Sequence, residues 1–259
     1  MEACFFKFYN GNCMLRALRP CRMKRPIPVL IHSAAMHSEV KKVKRSYDAL
    51  LLDAGGTLLQ LTKPVAETYA AIGRKYGVRL TEAEIKQRFK QAFTATYSEK
   101  LRYQGDGRPF WKLVVSEATG CADDDYFEEV YTYYSNVDAW HLPVGAYEAL
   151  HHLRDAGVKM AVVSNFDTRL RKLLKGLNVI DFFDALIISS EVEHEKPDSR
   201  IFLAALEKLS VEADKAVHVG DDKAADVDGA NAVGIASWLW GSDVNTFSEI
   251  ERRILTSIP

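Results

Sequence analysis

Cysteine is nearly missing from most of this chain. Of the four cysteines in 259 residues, Cys4, Cys13 and Cys21 fall within the first 45 positions, and Cys121 alone lies beyond them. Residues 46–259 therefore form no internal disulfide, which suits a reducing compartment. Long apolar runs are lacking too: none approaches the roughly 20 residues that a membrane span needs. A basic excess is lacking where a nucleic-acid binder would need one. The first 45 residues carry ten Lys/Arg against two acids, but the remainder carries 24 against 33, a net of −9. That sign argues against general nucleic-acid binding. Neither a membrane nor a nucleic acid is an expected partner.

What remains is an ordinary globular composition, 47% hydrophobic and 27% charged, on a chain long enough for one large domain or a domain with a smaller lobe. Residues 1–45 have no sustained period. Arg16, Arg19, Arg22, Lys24 and Arg25 sit there among small and apolar residues with almost no acids. This is the pattern of a transit peptide into chloroplast or mitochondrion, although serine is scarce. The alternative is a disordered basic tail on a cytoplasmic protein.

From residue 46 the pattern alternates. Ala49–Leu52 is an apolar run of the kind that forms a buried parallel strand. Residues 62–142 then read as helices only. Pro64 opens the first, and Thr81-Glu82-Ala83-Glu84 is a capping box for the second. Two more helices are expected near Phe110–Glu117 and Tyr126–Tyr134. The aromatics of this lobe read chiefly as its own core; Trp111, and Phe166 just after Ser164-Asn165, are the candidate aromatic substrate contacts. Alternation resumes from residue 143, with strands expected at 159–163, 185–188, 216–219 and 235–239 and helices between them. The prediction is an α/β fold: a doubly wound parallel sheet built from residues 46–61 and 143–259, interrupted by an α-helical lobe at 62–142.

Ligands in such sheets bind at the carboxyl ends of the strands, and the polar signals fall there. Asp53, Gly55, Gly56 and Thr57 follow the first strand, and Ser164 and Asn165 follow the second. Lys196 precedes a helix, and Asp221, Asp222 and Asp226 follow a fourth strand. Several carboxylates on one rim repel one another unless a cation joins them, and a small set of hard oxygen ligands suits Mg²⁺. Ser164 and Lys196 beside them suit an anionic substrate group. Attack by Asp53 to give a covalent aspartyl intermediate fits this set. Each residue also has a plainer reading: Thr57 as a helix cap, Ser164 as a turn hydroxyl, Lys196 as a solvated lysine, and Asp226 as an exposed helix acid.

The motifs Asp53-Ala54-Gly55-Gly56-Thr57, Ser164-Asn165, Lys196-Pro197 and Gly220-Asp221-Asp222-Lys223-Ala224-Ala225-Asp226 together resemble the haloacid dehalogenase-like (HAD) hydrolase superfamily. Ser164-Asn165-Phe166-Asp167 and the stretch from Glu195 to Phe202 look closest to its domain-containing protein 3 branch. The resemblance implies a Rossmann-like core with an inserted helical cap, and Mg²⁺ as cofactor. It implies Asp53 as nucleophile and metal ligand, with the Gly55 carbonyl as a second ligand. Thr57, Ser164 and Lys196 would hold phosphoryl oxygens, Gly56 and Asn165 would contact substrate, and Asp221 with Asp222 or Asp226 would complete the metal site. A small phosphorylated metabolite is the expected partner.

One position departs from the family's phosphatase pattern. Most of those enzymes carry a second aspartate two residues after the nucleophile, where this chain has Gly55. A glycine cannot move a proton, and general acid–base help is worth roughly 10²–10⁴ in rate. The expectation is a phosphohydrolase that favours acyl, aryl or anhydride leaving groups. The alternatives are a non-catalytic binding or scaffold protein and a 2-haloacid dehalogenase. The latter needs a cap arginine, for which Arg74, Arg79, Arg88 and Arg102 are available.

Overall fold

A computed structural model describes residues 45–95 and 104–255. The basic leader, apart from Arg45, and the cap residues Tyr97, Arg102 and Tyr103 lie outside the described residues, as does the organelle expectation resting on that leader.

Five strands form one parallel sheet: β1 (Ala49–Leu52), β4 (Lys159–Ser164), β5 (Ala185–Ile188), β6 (Ala216–Gly220) and β7 (Ala236–Leu239), in the order β5-β4-β1-β6-β7. β1 lies at the centre, with Leu52 in register with Val162 of β4 and Val219 of β6. Its residues alternate between two faces, and each face is buried. Leu50 and Leu52 join one core with Met160, Val162, Val217 and Val219 under the helices Ala146–Asp155, Arg169–Gly176 and Phe247–Leu255. Ala49 and Leu51 join the other with Ala161, Val163 and the helix Ser199–Leu209. This two-sided burial is why β1 reads as an unbroken apolar run. The chain passes to β4 on one side of β1 and to β6 on the other. The crevice beyond Leu52 is thus a topological switch point, where open α/β sheets bind ligands.

The helical lobe consists of Val65–Gly73, Glu82–Thr94, Arg108–Thr119 and Asp124–Tyr134 among the described residues. Its own core gathers Tyr69, Ile85, Val115, Tyr126 and Val130. Most of the lobe's aromatics thus serve packing. Both chain connections between lobe and sheet meet in an antiparallel ribbon of β2 (Gln60–Leu61) and β3 (Trp140–His141). Two-residue strands carry no period, so the sequence gives no sign of this ribbon.

Apart from this ribbon, element bounds differ from the sequence expectations by a few residues, with one change of kind. After β6 the expected continuous helix is instead a π-turn over Lys223–Asp228 followed by the short helix Gly229–Asn231. Asp222 caps the turn through bonds from the backbone of Ala224 and Ala225. Wide turns of this kind recur at functional sites. No helix among the described residues is long and apolar enough to cross a membrane.

The capping box of Glu82–Thr94 is complete: Thr81 Oγ1 accepts from the Glu84 backbone, and the Glu84 carboxylate accepts from the Thr81 backbone at 2.8 Å. Thr81→Ala should lower stability by about 1 kcal/mol. Denaturant unfolding measures it, and an unchanged midpoint contradicts the assignment.

Candidate active site

Asp53 follows β1 directly, and its backbone N–H still bonds to Val219 O at 2.9 Å, so the sheet fixes its position. Lys196 places Nζ 2.6 Å from Asp53 Oδ1 and 2.6 Å from Asp226 Oδ1. Its side chain is 2% exposed, so a solvated loop lysine is excluded. Ser164, at the end of β4, donates its hydroxyl to Asp53 Oδ1 at 3.2 Å. Asp226 is buried as well, which excludes an exposed helix acid. Its other oxygen accepts from the Asp222 backbone N–H at 3.0 Å.

Asp221 completes the set. Carboxylate oxygens of Asp53, Asp221 and Asp226 lie within 4.8 Å of one another. Two glycines make this approach possible. A Cβ on Gly56, whose φ is +86°, would stand 2.2 Å from Asp221 Oδ2, and one on Gly220 would stand 2.1 Å from Asp226 Cγ. Three hard oxygen donors brought together in this way fit a small divalent cation. Asp222 is not among them. Its exposed carboxylate caps the following turn, and it touches the cluster only through its backbone N–H.

The electrostatics follow from three acids around one ammonium. Burial raises the Asp53 carboxyl to about 6; Lys196 opposes the rise, and Asp226 and Asp221 reinforce it. Asp221 is raised as well, chiefly by burial. Asp226 moves the other way. His218 and Lys196 both bond to it, and they hold its carboxyl well below the usual range despite burial. The signs for stability are opposite. The raised Asp53 contributes stability at low pH that is lost as pH rises through about 6, whereas Asp226 contributes stability that strong acid removes.

Four placements differ from the sequence reading or add to it. The Asn165 amide, expected on substrate, clamps the Lys196 backbone: Nδ2 donates to Lys196 O at 2.9 Å, and Oδ1 accepts from Lys196 N at 2.7 Å. Asn165 therefore holds the lysine in place. His218 was missed. It lies fully buried in β6, its Nε2 is 2.8 Å from Asp226 Oδ1, and burial pushes its pKa down. Neutral, it donates from Nε2 and fixes the Asp226 carboxylate. A polar residue within the apolar run Ala216–Gly220 was the available signal. Asp167 reads from sequence as a helix cap. Its buried carboxylate also accepts from Trp111 Nε1 at 3.0 Å and from the Arg169 guanidinium at 2.8 and 2.7 Å. Thr57 is fully buried, and Oγ1 has no hydrogen-bond partner, so it does not serve as a helix cap.

The haloacid dehalogenase-like hydrolase model matches residues 47–234. The chain belongs to the haloacid dehalogenase-like hydrolase family. It is 37% identical over 201 residues to mouse haloacid dehalogenase-like hydrolase domain-containing protein 3, covering 73% of this chain and 80% of that protein. The expected branch is thus matched, and the chain is an enzyme of the hydrolase class. Among solved structures, the HAD phosphatase from Thermococcus onnurineus is similar at 26% identity and TM-score 0.58, covering 79% of this chain and 96% of that one. The L-2-haloacid dehalogenase from Xanthobacter autotrophicus shares the fold at 22% identity and TM-score 0.59, covering 80% and 81%.

Gly56→Ala and Gly77→Ala separate the clash at the acid cluster from backbone strain. Both glycines have positive φ, but a Cβ on Gly77 meets nothing within 4 Å. Positive φ alone costs about 1–2 kcal/mol for a non-glycine residue. Gly56→Ala should cost at least about 1 kcal/mol more than Gly77→Ala. Equal losses in denaturant unfolding contradict the packing of Asp221 against Gly56.

Proposed function

We propose that this hydrolase is a Mg²⁺-dependent phosphohydrolase that works through an aspartyl-phosphate on Asp53 and takes a small phosphorylated metabolite. The observation that carries the reading is the position of Lys196 Nζ, 2.6 Å from both Asp53 and Asp226, beside three clustered carboxylates. Asp53 attacks phosphorus, a bond forms between its carboxylate oxygen and phosphorus, and the leaving oxygen departs with the electron pair of its own bond. Water then attacks the same phosphorus, freeing Asp53 and releasing inorganic phosphate, which takes up the proton. Lys196 and Ser164 orient the Asp53 carboxylate and balance charge on the transferred group. Thr57 Oγ1, buried without a partner, is available to a phosphoryl oxygen. A divalent cation supplies the positive charge that lets a phosphate dianion approach three acids. Asp53, Asp221, Asp226 and the Gly55 carbonyl are the groups to hold it.

The relative from Thermococcus onnurineus, named a phosphatase, is in keeping with this reading. Displacement of halide uses the same nucleophile but needs no metal, and the carboxylate cluster disfavours it. Gly55 sets the leaving group. With no side chain to protonate the departing oxygen, acyl, aryl and anhydride phosphates are favoured over sugar phosphates.

Three measurements test the reading. The full chain should turn over acetyl phosphate with Mg²⁺, and Asp53→Asn should reduce that rate at least about 10³-fold. Turnover equal to the Asp53→Asn control sinks the proposal. Mg²⁺ affinity, measured by calorimetry, should fall about tenfold for each pH unit below 6, because the cation must displace the Asp53 proton. Constant affinity down to pH 5 contradicts this. Finally, a Cβ on Gly55 meets only Phe166, at 4.0 Å, so the position accepts a side chain. Gly55→Asp should raise the ratio of alkyl to acyl phosphate turnover at least about tenfold; an unchanged ratio shows that the missing acid does not limit substrate choice.

A further inference from the structure

Beside the loop that carries Asp53 lies a cavity of about 520 Å³, within the ordinary size range of small-molecule sites. Gly55 and Gly56 form one end of it. Tyr69, Phe89, Phe93, Trp111 and Tyr131 of the helical lobe line the rest, together with Phe166. Among the described residues lining the cavity, only Asp167 and Arg169 are charged, and they neutralise each other through the forked contact of 2.8 and 2.7 Å. The Arg169 guanidinium also lies over Tyr131, its Cζ 4.0 Å from the ring centre. The cap arginines Arg74, Arg79 and Arg88 do not line the cavity. Burial pushes the Tyr131 hydroxyl up to about 12 and raises Tyr69 well above its ordinary value, so both remain neutral.

We infer that this cavity holds the leaving group, and that the group is an uncharged aromatic or similarly bulky apolar one: the substrate class is aryl or apolar acyl phosphates. This rests on the phosphohydrolase reading and deepens it. Two separate features agree. The cavity has no unpaired charge among its described lining residues to recognise a sugar acid, an amino acid or a nucleotide phosphate, and its aromatic faces offer edge and stacking contacts to a ring. Gly55, at the mouth, has no acid to protonate an alkoxide, whereas a phenolate or carboxylate departs without a proton. A second anionic group on the substrate would be buried among rings with no unpaired cation among the described lining residues to meet it, at a large desolvation cost.

The test compares, on the full chain with Mg²⁺, acetyl phosphate, 1-naphthyl phosphate and a ring-sulfonated naphthyl phosphate. Binding of 1-naphthylmethylphosphonate and methylphosphonate, which are not hydrolysed, is measured on the same protein by calorimetry. Burial of a bicyclic ring supports a KM for 1-naphthyl phosphate at least about tenfold below that for acetyl phosphate. The sulfonate should reduce kcat/KM at least about tenfold. Equal KM values, or equal use of the sulfonated ester, overturn the inference. If neither acetyl phosphate nor 1-naphthyl phosphate is turned over, the phosphohydrolase reading fails and the phosphonates decide the cavity alone. Tighter binding of the naphthyl compound, by at least about tenfold, upholds an apolar-ligand site, and equal binding overturns it.

Discussion

One ammonium group between two carboxylates organises this molecule. Lys196 Nζ touches both Asp53 and Asp226 in a site closed to solvent. A buried charge is tolerated only when it is paired and hydrogen-bonded, and the surroundings are arranged to keep it so. Asn165 holds the lysine backbone at both its N–H and its carbonyl, Ser164 reaches Asp53, and His218 and the Asp222 N–H hold Asp226. Removing either acid would leave the lysine with one partner, and removing the lysine would leave three acids facing one another. The parallel sheet serves this arrangement, because β1, β4 and β6 deliver Asp53, Ser164 and Asp221 to one crevice.

The site has two halves of opposite character. On one side lie carboxylates, an ammonium and hydroxyls, suited to a cation and a phosphoryl group. On the other lies a cavity of rings, in which the one guanidinium among the described lining residues is neutralised by Asp167. Gly55 stands at the boundary. Its missing side chain removes a proton carrier and opens space towards Phe166. On the proposed reading, polar half and apolar half together would select for an apolar phosphate ester or acyl phosphate whose leaving group departs as a stable anion.

Much of this was legible in the sequence for identifiable reasons. The strands are buried on both faces, so they stand out as short apolar runs, and parallel sheets place function at strand ends. That logic brought Asp53, Ser164, Lys196, Asp221 and Asp226 forward together. Contacts between residues far apart in the chain were not legible. The clamp of Asn165 on Lys196 spans 31 residues, and the bond from Trp111 to Asp167 spans 56. A side chain's partner at such a distance leaves no periodic trace, so Asn165 reads as a substrate contact and Asp167 as a plain cap. Asp222 and Asp226 are equivalent by composition. Only the π-turn separates them, directing one carboxylate to its own backbone and the other to Lys196.

The most direct measurement of the central claim is chemical trapping of the intermediate. The full chain, mixed with Mg²⁺ and an acyl phosphate and quenched in acid during turnover, is digested and weighed by mass spectrometry. An aspartyl-phosphate on Asp53 adds one phosphoryl group, located on the peptide that contains Asp53 and lost on brief treatment with base. A phosphoryl group on any other residue, or turnover with no modified peptide at all, contradicts it.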